Sequence, residues 1–174
     1  MKILSWNVRG LGNSRTSLKK NLQTHRPQIV FLYETKMLPM RMNNVRVELN
    51  FENCFTVSRN RLERGLAMLW SSNIDVNIAS YSQHHIDAEI FNEGGPKWRC
   101  TRVYGHPKTT QKRHTWTVMK RLASLSSLPW LCFGDFTEIL HLSKKKRDNI
   151  RDANMISEFR DAIKECSLAD LGCK

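Results

Sequence analysis

Several features are missing from this sequence of 174 residues, and each absence narrows what it can be. No apolar run approaches the roughly 20 residues that a membrane-spanning helix needs. Met1-Lys2-Ile3-Leu4 runs straight into Ser5, Trp6 and Asn7, without a signal-peptide hydrophobic region. The expectation is a soluble intracellular protein, nuclear or cytoplasmic, with no membrane partner. The five cysteines (Cys54, Cys100, Cys132, Cys166, Cys173) are odd in number and include no Cys-x-x-Cys pair, so their spacing gives no basis for zinc or dithiol chemistry. Cys100 and Cys132 lie inside strand-like runs and Cys166 continues a helical stripe, which makes them small core residues. The six histidines show no metal-ligand spacing, and His84-His85 is read as the structural opening of a strand. There is no internal repeat, low-complexity segment or interdomain linker, and 40% hydrophobic residues suffice for one core, so residues 1–174 are expected to form a single domain. Acidic residues are also scarce, 16 against 28 lysines and arginines, and the net charge of +12 favours a polyanionic partner. No basic amphipathic segment carries an aromatic face, which points to nucleic acid rather than an anionic membrane.

What is present is a series of short apolar runs, each ending in a polar residue. Lys2 to Val8 alternates and carries Asn7 near its end, with Gly10, Gly12 and Asn13 read as a turn. Ser14 is the expected cap of a helix that carries Leu18 and Leu22 and stops before Pro27. Gln28 to Tyr33 is an almost wholly apolar strand ending at Glu34. Strand, helix, strand in this order predicts a parallel crossover that brings Asn7 and Glu34 to one edge. A short helix is expected over Met40 to Leu49, with Val45 and Leu49 inward. Strands are then expected at CFTVS, LAMLW, IDVNIASYS, HIDAEIF and, after the turn at Glu93-Gly94-Gly95-Pro96, WRCTRVY ending at Tyr104. Thr109 to Leu125 reads as an amphipathic helix with Trp116, Met119, Leu122 and Ala123 inward. Pro129 to Phe133 is a strand read as stopping at Gly134, where the backbone turns and Asp135 faces outward. Asp152 is the expected cap of a last helix with Met155, Phe159, Ala162, Ile163 and Cys166 on one face.

Asn7, Glu34, Tyr104 and Asp135 therefore each end a strand that begins apolar, and ligands gather at such rims. Singly, each has a bland reading as a turn former, solvated strand end or rim aromatic. Together, two carboxylates, an amide and a phenol are the parts of a magnesium site for phosphate chemistry, because magnesium takes hard oxygen ligands and needs only one or two protein carboxylates. The basic run Lys144, Lys145, Lys146 and Arg147 is read first as a solvated loop and second as a phosphate contact.

The blocks ILSWNVRGLG, PQIVFLYETK, RGLAMLW, HIDAEI, WRCTRVYGHP and PWLCFGDFTEIL, in this order, resemble the endonuclease domain of plant non-LTR (LINE-type) retrotransposons. That domain belongs to the endonuclease/exonuclease/phosphatase superfamily. The resemblance spans essentially the whole chain and implies an α/β fold, a four-layered α/β sandwich of the DNase I-like type with two mixed sheets flanked by helices. It also implies magnesium-dependent cleavage of DNA, with manganese as a substitute metal, and in an intact element a reverse transcriptase domain on the same polypeptide. On matching positions, Glu34 resembles the metal ligand and Asn7 the residue supporting the metal. Tyr104 resembles the tyrosine at the scissile phosphate, and Asp135 the acid that orients or deprotonates water.

Departures from the pattern bear on activity. Thr137 replaces the asparagine of the family's G-D-F-N-E block, and losing one preorganised donor implies a penalty of about 10²–10³ in rate. Arg102 stands where these domains carry glycine, next to the approach to Tyr104, and Arg9 stands where abasic-site enzymes carry an acid. Both are expected to face substrate, and Arg9 leans away from DNA repair. The chain ends at Lys174, before the family's terminal Ser-Asp-His motif and last strands, so the expectation is a truncated copy, weakly active or inactive and poorly stable alone. Rival readings are a non-catalytic nucleic-acid-binding relic and, within the same fold, a phosphoinositide phosphatase or RNA deadenylase.

Overall fold

The computed structural model describes residues 1–57, 65–105, 112–136 and 150–172. In chain order the elements are β1 (Ile3–Asn7), α1 (Leu11–His25), β2 (Ile29–Tyr33), α2 (Pro39–Glu48), β3 (Asn53–Val57), β4 (Leu66–Trp70), β5 (Asp75–Ser82), β6 (His85–Phe91), β7 (Trp98–Tyr104), α3 (Lys112–Ser124), β8 (Trp130–Asp135) and α4 (Ile150–Glu165). They build two four-stranded sheets, ordered β1-β2-β4-β3 and β5-β6-β7-β8. Each sheet is mixed: β1 with β2 and β7 with β8 are parallel, the other pairings antiparallel. Among the described residues, no helix is long and apolar enough to cross a membrane.

Alternation along the strands stacks the layers. On β2, Ile29 and Phe31 face the other sheet while Val30 and Leu32 face the helices, so both pleat faces are buried and the run is apolar throughout. The outer side of the first sheet packs Val30, Leu32 and Ala67 against Leu11 and Leu18 of α1 and Met42 and Val45 of α2. Between the sheets lie Phe31, Met68, Ile86, Ala88, Ile90 and Cys100, with Phe31 meeting Phe133 edge-on at 5.1 Å. The outer side of the second sheet is covered by α3 and α4, where Val103 packs with Met119 and Cys166, and Trp116 stacks on Phe159.

Beneath α3 lies a fully paired polar network. Arg99 forks onto Asp87 through Nε (2.7 Å) and Nη2 (2.9 Å), and its Nη1 donates to the Leu122 carbonyl at 2.7 Å. Thr101 Oγ1 donates to Asp87, and Trp130 Nε1 donates to Thr101 Oγ1 at 2.7 Å, so β6, β7, β8 and α3 share one cluster. Nearby, a β-bulge between Ile78 and Ser80 sets two serines around the buried His85 ring, with Ser82 Oγ 2.8 Å from Nδ1 and Ser80 Oγ 3.1 Å from Nε2.

Four local expectations change. The first helix begins at Leu11, so Gly12 and Ser14 lie inside it; Gly10 is its cap residue, and Ser14 Oγ donates back to the Val8 carbonyl. In α2 the fully buried residues are Met42 and Val45, while Leu49 lies just past the helix and is partly buried. Gly134 does not end its strand: β8 continues through it to Asp135, and a Cβ there would run into the Val103 carbonyl of β7, at a φ of 149°. Close backbone approach, not a turn, requires glycine. Asp152 lies within α4 rather than at its cap. The expected helix start at Thr109 lies outside the described residues.

Replacing Arg99 by Met leaves the Asp87 carboxylate buried without its guanidinium and should lower unfolding free energy by about 3–5 kcal/mol in a denaturant titration. For His85, burial lowers the imidazole pKa, opposed by the Asp87 charge. The unfolded chain then binds a proton more readily than the folded one. Above about pH 6.5 this contributes no pH dependence, and below it stability falls as pH falls. The decline in melting temperature on acidification should be shallower in His85→Gln than in the parent.

Candidate active site

The two parallel strand pairs end at one edge of the molecule. In the first, Asn7 pairs with Tyr33, and the hydrogen bonding runs on past the strands: Val8 N donates to Tyr33 O (3.1 Å), Gly10 N to Glu34 O (2.8 Å) and Leu11 N to Thr35 O (3.2 Å). Glu34 is held in the left-handed region at φ 56°, with Arg9 (43°) and Lys36 (50°) in the same region on either side of the junction. A side chain at such φ costs about 1–2 kcal/mol and persists only where its surroundings over-determine it. The surroundings here are the Gly10 bond to Glu34 O and the anchoring of Thr35, which is buried, donates N–H to Gly65 O at 3.2 Å and fills the space over Gly65 where a Cβ would sit. Asn7 is fixed by accepting the Arg9 N–H on Oδ1 at 3.0 Å.

In the second pair, Tyr104 lies opposite Asp135, and the next residue ties them: Gly105 N donates to Asp135 O at 2.6 Å. Tyr104 N donates to His84 O at 2.7 Å. The Tyr104 hydroxyl donates to Glu34 Oε1 at 2.9 Å, joining residues 70 apart in the chain and one sheet to the other. Tyr33 lies beside Tyr104 with ring centroids 5.8 Å apart. Asp135 itself is exposed, whereas Tyr104 is only 7% exposed.

Beneath this rim sits Arg102, fully buried, its guanidinium 3.7 Å from the Tyr33 ring centroid and 5.5 Å from that of Tyr104. Nη1 donates to Val103 O at 2.9 Å, while among the described residues Nε and Nη2 have no hydrogen-bond partner. Burial lowers its pKa, opposed by the neighbouring Tyr33, Asp135 and Tyr104.

The structure thus places Asn7, Glu34, Tyr104 and Asp135 at strand ends on one edge, as the spacing predicts, and joins Glu34 to Tyr104 directly. Arg9 is exposed beside Asn7. Arg102 is placed inside the sheets rather than on the surface expected for a substrate contact. Thr137, Glu138, Lys144, Lys145, Lys146 and Arg147 lie outside the described residues. Tyr33, Thr35 and Gly65 support the site without a motif that marks them; the all-apolar run ending in Tyr33 is the one local signal, since φ at Glu34 leaves no trace in composition.

The donor set fits a small hard cation. Glu34 uses Oε1 on Tyr104 and keeps Oε2 without a hydrogen bond from any described residue, and the amide oxygen of Asn7 has a second lone pair beyond its bond to Arg9. Among the described residues no group of three or more His, Cys, Asp or Glu side chains could hold a metal. One carboxylate and one amide match magnesium, which keeps several waters, better than zinc or calcium. Because glycine relieves the backbone strain at residue 34 and alanine does not, Glu34→Gly should be about 1 kcal/mol more stable than Glu34→Ala in equilibrium unfolding.

Comparison with known structures finds the same architecture. The endonuclease domain of TRAS1, a telomere-specific non-LTR retrotransposon, superposes with a TM-score of 0.72 at 13% identity, over 99% of this chain and 73% of that one. The 3′ phosphatase NExo from Neisseria, bound to a product DNA hairpin, gives 0.70 at 15% identity, over 95% and 71%. The AP endonuclease LMAP from Leishmania major gives 0.67 at 10% identity, over 93% and 65%, so this chain spans just under two thirds of that protein. No protein of curated function matches by sequence. The sequence profile of the Endonuclease/Exonuclease/phosphatase family matches residues 4–136, from the second residue of β1 to the residue after β8, and the chain belongs to that family.

Proposed function

We propose that the chain is a divalent-metal-dependent phosphodiester hydrolase that cuts DNA, derived from a non-LTR retrotransposon. The observation that carries this reading is the 2.9 Å bond from Tyr104 to Glu34, which holds a phenol and a carboxylate from different sheets at one rim, with Asp135 beside Tyr104 in register. Glu34 and Asn7 would hold magnesium, or manganese in its place; when bound, the metal neutralises charge developing on the phosphoryl group. Tyr104 donates its hydroxyl to a non-bridging phosphate oxygen, exchanging its bond to Glu34 for one to substrate. Asp135, exposed at the end of β8, accepts the proton of a water whose oxygen bonds to phosphorus as the bond from phosphorus to the 3′-oxygen breaks; the departing oxygen takes a proton from solvent, giving a 3′-hydroxyl and a 5′-phosphate. Thr137 contributes one hydroxyl donor to the phosphate where an asparagine amide would offer two.

DNA as the substrate is supported by the net charge of +12, by exposed Arg9 beside the rim, and by the basic run Lys144 to Arg147, which contacts backbone phosphates in this reading. The retrotransposon origin rests on six sequence blocks in order, and it places a reverse transcriptase domain on the same polypeptide in an intact element. A non-catalytic DNA-binding role is favoured by Thr137 and by the cation buried at Arg102, both departures from the pattern of the retrotransposon domains.

Supercoiled plasmid incubated with the purified chain should be nicked slowly in magnesium, as the Thr137 replacement implies, and left intact in chelator, with Glu34→Ala and Asp135→Asn each slower still, by at least about 10²-fold. Salt-sensitive DNA binding without any Glu34-dependent nicking would establish the binding role instead.

A further inference from the structure

Two arginines are fully buried on β7, and they differ in one respect. Arg99 spends Nε, Nη1 and Nη2 on Asp87 and Leu122, so its charge is paired and each nitrogen is bonded. Arg102 donates Nη1 to its neighbour's carbonyl and lies against the Tyr33 ring, and among the described residues its Nε and Nη2 have no hydrogen-bond partner. Buried unpartnered donors are rare in folded proteins and call for a reason. Guanidinium stays protonated even where burial works against the charge, so Arg102 is a fixed cation. The faces of Tyr33 and Tyr104 and the charge of Asp135 offset it only in part.

Its position gives that charge a consequence. Tyr104 is flanked by Arg102, 5.5 Å from its ring centroid, and by Glu34, 2.9 Å from its hydroxyl, so one phenol links the guanidinium to the expected metal ligand. Between them is buried protein rather than water, where like charges repel over several ångströms with little screening.

We propose that Arg102 is a resident cation of this site, a positioning residue whose charge weakens the binding of a divalent metal at Glu34 and Asn7. The proposal rests on the metal-dependent reading above. Removing the charge should tighten metal binding by at least about tenfold, a conservative fraction of the repulsion between a single and a double charge at this range. Arg102 touches neither metal nor substrate in this scheme; it acts through the field across Tyr104.

The test is manganese binding by the full chain, followed from the paramagnetic resonance signal of free Mn²⁺, which does not depend on catalysis. Arg102→Met should bind at least about tenfold more tightly than the parent, and Arg102→Lys, which keeps the charge and changes the shape, should stay within about twofold of it. Adding Glu34→Ala should abolish the gain. Thermal melts check folding, and Arg102→Gln replaces the Met variant if that one does not fold. Equal, Glu34-dependent affinity in parent and Met variant would overturn the proposal and leave the metal-dependent reading standing. A Lys variant that binds as tightly as the Met variant would also overturn it, by tracing the effect to packing. Absence of Glu34-dependent binding in every variant would overturn the proposal and the metal-dependent reading together.

Discussion

The separation between the two sheets governs this molecule. Glu34 and Tyr104 belong to different sheets, yet their side chains meet at hydrogen-bond distance. A bond of that kind weakens steeply if the sheets shift by an ångström. What holds the spacing is a graded series of aromatic contacts running toward the edge, from Phe31 against Phe133 to Tyr33 against Tyr104. Phe31 and Tyr33 are two residues apart on β2 and share its inner face, so the strand that fills the core also delivers the carboxylate. The close-packed interior is therefore the ruler against which the rim is measured.

The second sheet treats its buried charges in two ways. Arg99 and Arg102 are three residues apart on β7 and so project to opposite faces. The outward one enters a network in which each polar group is satisfied, which rigidifies β6, β7 and β8 under α3. The inward one is left with free donors among tyrosines at the strand ends. A satisfied network serves the fold; in the proposed scheme, the unsatisfied cation next to a carboxylate rim belongs to the chemistry.

Much of the fold was legible because the signals were local. The unbroken apolar run from Ile29 to Tyr33 announced a strand buried on both faces, and the polar residue ending each run marked Asn7, Glu34, Tyr104 and Asp135. What the sequence leaves unmarked depends on neighbours distant along the chain. Gly134 looked like a turn glycine because nothing nearby tells that Val103 presses on it. Ser14 looked like a cap because its type favours caps, yet the carbonyls of Val8 and Gly10 draw its hydroxyl backward. The pairing of Asp87 with Arg99 and the company of Arg102 follow from strand register, which no single segment encodes.

Glu34 has a further meaning. Its left-handed backbone is built by residues around it, Gly10, Thr35 and Gly65, and not by any preference of its own. On stability alone the position suits glycine or asparagine, and a chain released from selection for activity would meet little resistance to acquiring either. In the proposed reading the glutamate is thus a clock of a kind: as long as it stands in that conformation, the rim carries the imprint of a time when a carboxylate there was worth more than a relaxed backbone.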